Sequence, residues 1–225
     1  MRFVVQPGMG GTFALGVDGY NHAFFADKIT PGMQVLDVGA NCGQMALLFS
    51  RLAGPQGRVV SLEPVPRNFA VLRRNLELNG CSNVSALALA GGRAAGKAQF
   101  LFDEAHHTQG GLAEYEGAVS PCQSKIEVTV DTLDHVAAET GLTPQLLKVD
   151  VEGGGGEVLA GAQELITRCR PRIFFEMHTA TKECPEYRCL MELREKHRYH
   201  LHDLAGAVIE ELQPCWGHPI WCMPV

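Results

Sequence analysis

Residues 35–64 read "VLDVGANCGQMALLFSRLAGPQGRVVSLEP". The stretch continues an apolar run that begins at Met33, "MQVLDVG", as a strand covered on both faces would. A glycine-containing turn, "DVGANCG", follows. Next comes "CGQMALLFSRLA", in which Met45, Leu48, Phe49 and Leu52 recur at helical spacing and share one face. "RVVSLEP" repeats the buried-strand pattern and ends in a carboxylate, Glu63. Strand, tight turn, helix and strand make one unit of a parallel sheet crossed by helices.

The same alternation runs outward from this unit. "PRNFAVLRRNLELNG" reads as a helix, with Pro66 in its first turn and Gly80 at its end. "VSALALAG" is a third strand. Residues 93–125 are less regular: "AQFLF" suits a short strand and "DEAHHTQGGLAEYEG" a long surface loop. "IEVTVDTL" is a further short strand and "DHVAAETG" a helix. "QLLKVDVEG" is the fourth main strand, "EVLAGAQELITRC" its helix and "PRIFFEMH" the fifth strand. A helix over 186–197 and a hairpin of strands around 199–204 and 219–224 complete the chain. The expected fold is a doubly wound, mostly parallel α/β sheet with a C-terminal antiparallel hairpin. It forms one domain over 1–225, with residues 1–32 packed on it as an extension.

Composition narrows the function. The chain has 225 residues, 46% hydrophobic and 20% charged, an ordinary balance for a globular domain with a sizeable core. Its net charge of −6 argues against a broad nucleic-acid surface. No run approaches about 18 apolar residues, so no membrane span is expected. "MRFVVQPGMGG" has no long apolar stretch and is read as carrying no signal peptide. The eight cysteines, at 42, 81, 122, 169, 184, 189, 215 and 222, are irregularly spaced and often lie in apolar runs. Reduced thiols and a cytoplasmic location are expected. Oligomeric state is not readable.

In an open α/β sheet, ligands bind beyond the carboxyl ends of the strands, where the strand order switches. The "DVGANCG" turn lies there. Gly39 and Gly43 allow a tight entry into a helix whose backbone N–H groups face a ligand. A dinucleotide site would require G-x-G-x-x-G, but the second and third glycine positions hold Asn41 and Gln44. That mismatch disfavours a nucleotide-dependent oxidoreductase, and the G-x-N-x-G spacing suits a nucleoside ligand without a pyrophosphate. Glu63, at the next strand end, can accept hydrogen bonds from ribose hydroxyls, and Pro64 and Val65 can form an apolar wall for a base.

"VLDVGANCGQMALLFSRLAGPQGRVVSLEPVPRNFAVLRRNLELNG", "VTVDTLD", "LLKVDVEG…EVLAGA" and "RPRIFFEMH" together resemble the FkbM family of S-adenosylmethionine-dependent methyltransferases, over about residues 33–178. The resemblance implies a class I, Rossmann-like fold with a seven-stranded sheet. It also implies methyl transfer, usually to a hydroxyl oxygen of a sugar, glycolipid or other natural product. By it, Asp37, Gly39, Ala40, Asn41 and Gly43 surround the methionine part of the cofactor. Glu63 holds the ribose with Pro64 and Asn68 beside it, and Ala88, Leu89 and Ala90 border the adenine. One departure stands out. The family pattern "EGAE" reads "EGGG" here, with glycine at 154 and 155 and a carboxylate missing. Glycine costs on the order of 1 kcal/mol per helical position, so the helix is expected to start near Glu157. This departure is the one feature favouring a non-catalytic binding module.

A hydroxyl acceptor is a poor nucleophile and must lose a proton to a base or be polarised by a metal. Strand alternation places Lys148, Asp150 and Glu152 on one face, and Glu176 and His178 share a face of the next strand. Asp150, Glu152, Glu176 and His178 are the candidate catalytic or acceptor-orienting residues. Each also has an ordinary structural reading, as a helix cap or an ion-pair partner. Lys148 is read as a buried partner of these acids. The same groups can hold a divalent cation, but their spacing fixes no geometry, and no metal is assigned. His178, Cys184 and Cys189 lack zinc-site spacing. Tyr20 and His22 before the first strand, and His106 and His107 in the loop, are weaker candidates for the acceptor side.

Overall fold

A computed structural model describes residues 3–4, 19–103, 110–112, 123–178 and 181–225. The chain runs α1 (Gly19–Ala26), β1 (Gln34–Val38), α2 (Gln44–Ala53), β2 (Arg58–Leu62), α3 (Pro66–Leu78) and β3 (Val84–Leu87). Then come β4 (Ala90–Gly91), β5 (Gly96–Asp103), β6 (Gly110–Leu112), β7 (Gln123–Asp131) and α4 (Leu133–Thr140). The last part holds β8 (Leu146–Val149), α5 (Gly155–Ala160), α6 (Gln163–Cys169), β9 (Arg172–His178), α7 (Pro185–Glu195), β10 (Tyr199–His202) and β11 (Trp216–Pro224).

Seven strands form the main sheet in the order β10-β11-β9-β8-β1-β2-β3. The pairs from β9 through β3 are parallel, and β11 is antiparallel to both β9 and β10. The chain leaves β1 towards β2 and β3, then returns to place β8 on the other side of β1. The strand order therefore switches between β1 and β8, and in open α/β sheets ligands bind beyond the carboxyl ends of strands at such a switch.

Alternation assigns the two faces. Leu36, Val38, Leu147, Val149, Ile173, Phe175 and Met177 pack with the α4–α7 side. Val35, Leu146 and Phe174 point the other way, onto α1 and α2. There Phe25 meets Phe49 edge to face and Phe174 at a tilt, with centroids 4.9 Å apart in each pair. No helix among the described residues is long and apolar enough to cross a membrane.

Three local expectations are corrected. The run 84–91 is not one strand, because β3 pairs with β2 while β4 pairs with β7 in a second sheet. That sheet, β4-β7-β5-β6, occupies much of the stretch read as irregular, with β5 and β7 paired along Gly96–Asp103. The helix read as "EVLAGAQELITRC" is two. α5 starts at Gly155, before Glu157, and α6 starts afresh where the Asp134 carboxylate accepts from Leu165 N (2.7 Å) and Glu164 N (3.1 Å). Asp134 thus caps a helix from a different element. Asp134→Ala is expected to cost about 1 kcal/mol of stability, measured by urea unfolding.

Candidate functional site

The turn after β1 is clipped to β2 by two bonds to Leu62 O, from Gly39 N (3.1 Å) and Ala40 N (2.9 Å). Gly39 has φ +82°, and a Cβ there would lie 1.9 Å from Asp150 O. The β1 turn and the end of β8 therefore touch backbone to backbone, which only glycine permits. Asn41 also adopts a left-handed conformation (φ 48°), and its side chain accepts from Cys42 N at 2.7 Å. Gly43 N bonds Ala40 O and leads into α2.

Glu63 sits beside this turn and is only 4% exposed. Its carboxylate accepts from Asn41 N (2.8 Å), Val65 N (3.0 Å) and Asn68 Nδ2 (3.3 Å). Burial pushes its pKa up to about 7, and these hydrogen bonds partly oppose the rise. Pro64 is partly exposed and Val65 is buried beside Glu63. Ala88 is exposed, Leu89 partly buried and Ala90 buried where the chain crosses between the two sheets.

Beneath the turn, Ser61, Asp37 and Lys148 are neighbours across β2, β1 and β8. Ser61 Oγ donates to Asp37 Oδ2 at 3.2 Å. Lys148 Nζ lies 3.3 Å from Asp37 Oδ1, 3.4 Å from Asp150 Oδ2 and 3.0 Å from Gly39 O. Burial would depress this ammonium, but Asp150 and Asp37 outweigh it and hold it above its usual value. Lys148 is therefore a charged bridge. Asp37 is fully buried and presents no surface to a ligand, so it supports the turn from below.

Asp150, Glu152, Glu176 and His178 come together at the ends of β8 and β9. His178 Nε2 is 3.4 Å from Glu176 Oε1 and 3.5 Å from Glu152 Oε2. One donor atom each from Asp150, Glu176 and His178 lies within 4.8 Å of the others. Burial alone would lower His178, but the Glu176 hydrogen bond and the Glu152 and Asp150 charges raise it to about 9. The His178 hydrogen bond holds Glu176 below its ordinary value. Burial raises Asp150 against the pull of Lys148, and the one-third of its side chain left open limits that rise.

The sequence reading missed Glu186. This residue is fully buried at the start of α7, and its carboxylate accepts from Gly155 N (3.1 Å) and His178 N (2.8 Å). A Cβ at 155 would sit 2.9 Å from Glu186 Oε1 and 2.5 Å from Phe175 Cζ. Glycine at 155 thus makes room for a carboxylate arriving from another element. The only available signal was a lone glutamate after Pro185, which reads as an ordinary first-turn residue. Glu186→Ala leaves two buried N–H groups without this acceptor. It is expected to cost about 2–4 kcal/mol of stability in urea unfolding.

Other candidates lie further off or outside the described residues. His22 Nε2 is 3.3 Å from Gln44 Nε2, beside the start of α2 and not the acids. His106 and His107 fall outside the described residues, as does the side chain of Tyr20. Among the described residues no cysteine is joined in a disulfide.

The parallel sheet, the glycine turn at its switch point and the strand-end carboxylate define a domain of the class I methyltransferase type. The chain belongs to the methyltransferase FkbM domain family, whose model matches residues 37–201. It is 31% identical over 176 residues to methyltransferase sdnD of Sordaria araneosa, covering 64% of this chain and 66% of that protein. It is 40% identical over 60 residues to the protein-L-isoaspartate O-methyltransferase of Methanococcoides burtonii, covering 27% of this chain and 30% of that protein. The chain thus spans about a third of the isoaspartate relative and just under two thirds of sdnD. Among solved structures, methyltransferase FkbM from Methylobacillus flagellatus superposes with a TM-score of 0.55 at 16% identity, over 85% of this chain and 43% of that one. Cofactor-bound Rv0187 from MTB gives 0.54 at 17% identity, over 100% and 83%. At these identities the structural likeness speaks for the fold alone.

Proposed function

We propose that the chain is an S-adenosylmethionine-dependent methyltransferase acting on a hydroxyl oxygen of a saccharide, glycolipid or other small natural product. One observation carries the reading. The glycine turn and the acid cluster abut at the switch point, where Lys148 spans 3.0 Å to Gly39 O and 3.4 Å to Asp150 Oδ2. A donor held on the turn and an acceptor held at the acids therefore share one crevice.

The turn fits such a cofactor. Glu63 is a buried carboxylate aimed at the turn, and a carboxylate has about four acceptor sites. The 3.3 Å bond from Asn68 is the longest of the three it makes and is the one exchanged for a ribose hydroxyl. Gly39 to Gly43, with Ala40 and Asn41 between them, face the methionine part. Pro64 and Ala88 to Ala90 border the adenine. When bound, S-adenosylmethionine supplies a methyl group already activated by its sulfonium.

The chain's own residues then orient the acceptor and receive its proton. Asp150, Glu152 and Glu176 are the carboxylates placed to accept it. His178, raised to about 9 by its carboxylate neighbours, is an imidazolium at neutral pH in the ligand-free site and pairs there with Glu176 and Glu152. Positioning supplies much of the rate in such a displacement. The glycine at 155 gives no support to a non-catalytic reading, since Phe175 and the Glu186 carboxylate fill the space beside it.

The test is calorimetric titration with S-adenosylhomocysteine, followed by a labelled-methyl screen of hydroxylated acceptors. Asp150→Asn is expected to retain cofactor affinity within about threefold and to lose about 100-fold or more in turnover. Failure of the wild-type chain to bind S-adenosylhomocysteine overturns the reading.

A further inference from the structure

We infer that Asp150, Glu176 and His178 form a divalent-cation site that binds the acceptor hydroxyl. The inference rests on the methyltransferase reading and adds to it how the acceptor is held. Its donors are one oxygen from each of two carboxylates and one imidazole nitrogen, all within 4.8 Å of one another. A small divalent ion bonded at about 2.1 Å sets its donors about 3–4 Å apart, so small side-chain movements complete the set.

The surroundings favour a cation. Asp150, Glu152 and Glu176 converge here, while the Lys148 ammonium is shared between Asp150 and the buried Asp37. His178 is 5% exposed and forms the back of the site. The Asp150 and Glu176 side chains are 34% and 23% exposed, so an ion held by them keeps coordination positions that solvent or an acceptor can reach. The site lies at the end of β8, beside Gly39 and within reach of the donor turn.

Two carboxylates and one imidazole suit Mg²⁺, Mn²⁺ and the borderline first-row ions, with no thiolate in the set to select soft metals. The imidazole binds as the neutral base, and its proton leaves as the cation enters. A hydroxyl on the ion becomes more acidic, and its proton passes to Glu152, which is outside the ligand set.

The experiment is titration of the full chain, saturated with S-adenosylhomocysteine, with Mn²⁺. Binding is read by heat and by loss of the free Mn²⁺ electron-spin signal. Wild type is expected to bind one Mn²⁺ per chain. Glu176→Gln and Asp150→Asn, checked as folded by circular dichroism, are each expected to weaken it by about 100-fold. Their S-adenosylhomocysteine affinity measured without metal should be unchanged. No saturable Mn²⁺ binding in a wild-type chain that binds S-adenosylhomocysteine overturns the cation site and leaves the methyltransferase reading standing. So does Mn²⁺ binding of equal strength in all three proteins, which places the ion elsewhere. If S-adenosylhomocysteine does not bind, Mn²⁺ is titrated alone. Carboxylate-dependent Mn²⁺ binding then upholds the cation site while the methyltransferase reading fails.

Discussion

Glu63→Gln is expected to weaken S-adenosylhomocysteine binding by about 100-fold or more. Each bond from a ribose hydroxyl to a charged acceptor is worth about 1.5–3 kcal/mol, and an amide keeps only one neutral acceptor. Wild-type affinity is also expected to rise as pH increases through about 7, where the buried carboxyl ionises. Folding should respond with the opposite sign. A carboxyl raised from 4.5 to about 7 adds stability that is present below 4.5 and is lost as pH rises through 7. Ligand-free stability should therefore fall between those values while affinity climbs. Glu63→Gln should flatten both profiles. Calorimetry and urea unfolding at a series of pH values check this, and an affinity unchanged by the substitution sinks the ribose assignment.

Lys148→Met is expected to destabilise the chain by about 3–5 kcal/mol in urea unfolding. Lys148 sits between Asp37, which is fully buried, and Asp150. Removing the ammonium leaves a buried carboxylate in the centre of the sheet with Ser61 Oγ as its remaining side-chain donor. The double variant Lys148→Met with Asp37→Asn should recover a large part of the loss, because neutralising both partners removes the uncompensated charge. A single variant of wild-type stability would mean that the network contributes nothing to folding. An unrecovered double variant would place the loss in packing and not in charge.

The central strands and the grouping of the strand-end acids in the candidate site are legible because each rests on a strong local pattern. β1, the turn and α2 combine an apolar run, two glycines and a helical stripe in twenty residues, 34–53. β8 and β9 end in acids that alternation alone places on one face. What was not legible depends on distant partners. Nothing local tells Val84–Leu87 from Ala90–Gly91, since one pairs with β2 and the other with β7, some forty residues ahead. The break between α5 and α6 is fixed by the carboxylate of Asp134, about thirty residues earlier. Glu186 reads as a first-turn glutamate until the fold brings it to Gly155 and His178. The glycines at 154 and 155 looked like a lost function, yet at 155 the absent side chain is matched by a group supplied from α7.

The contact between Gly39 and Asp150 has a bearing on engineering. A Cβ at 39 has no room, and the Lys148 ammonium bonds Gly39 O while pairing with the Asp150 carboxylate. Under the proposed function, the turn that would hold the donor and the acids that would receive the acceptor's proton are therefore packed as one unit. Retargeting such a protein to a bulkier or smaller acceptor by altering that unit would disturb the chemistry along with the fit. Changes of acceptor scope belong in the outer walls of the crevice, which can be rebuilt while the unit stays as it is.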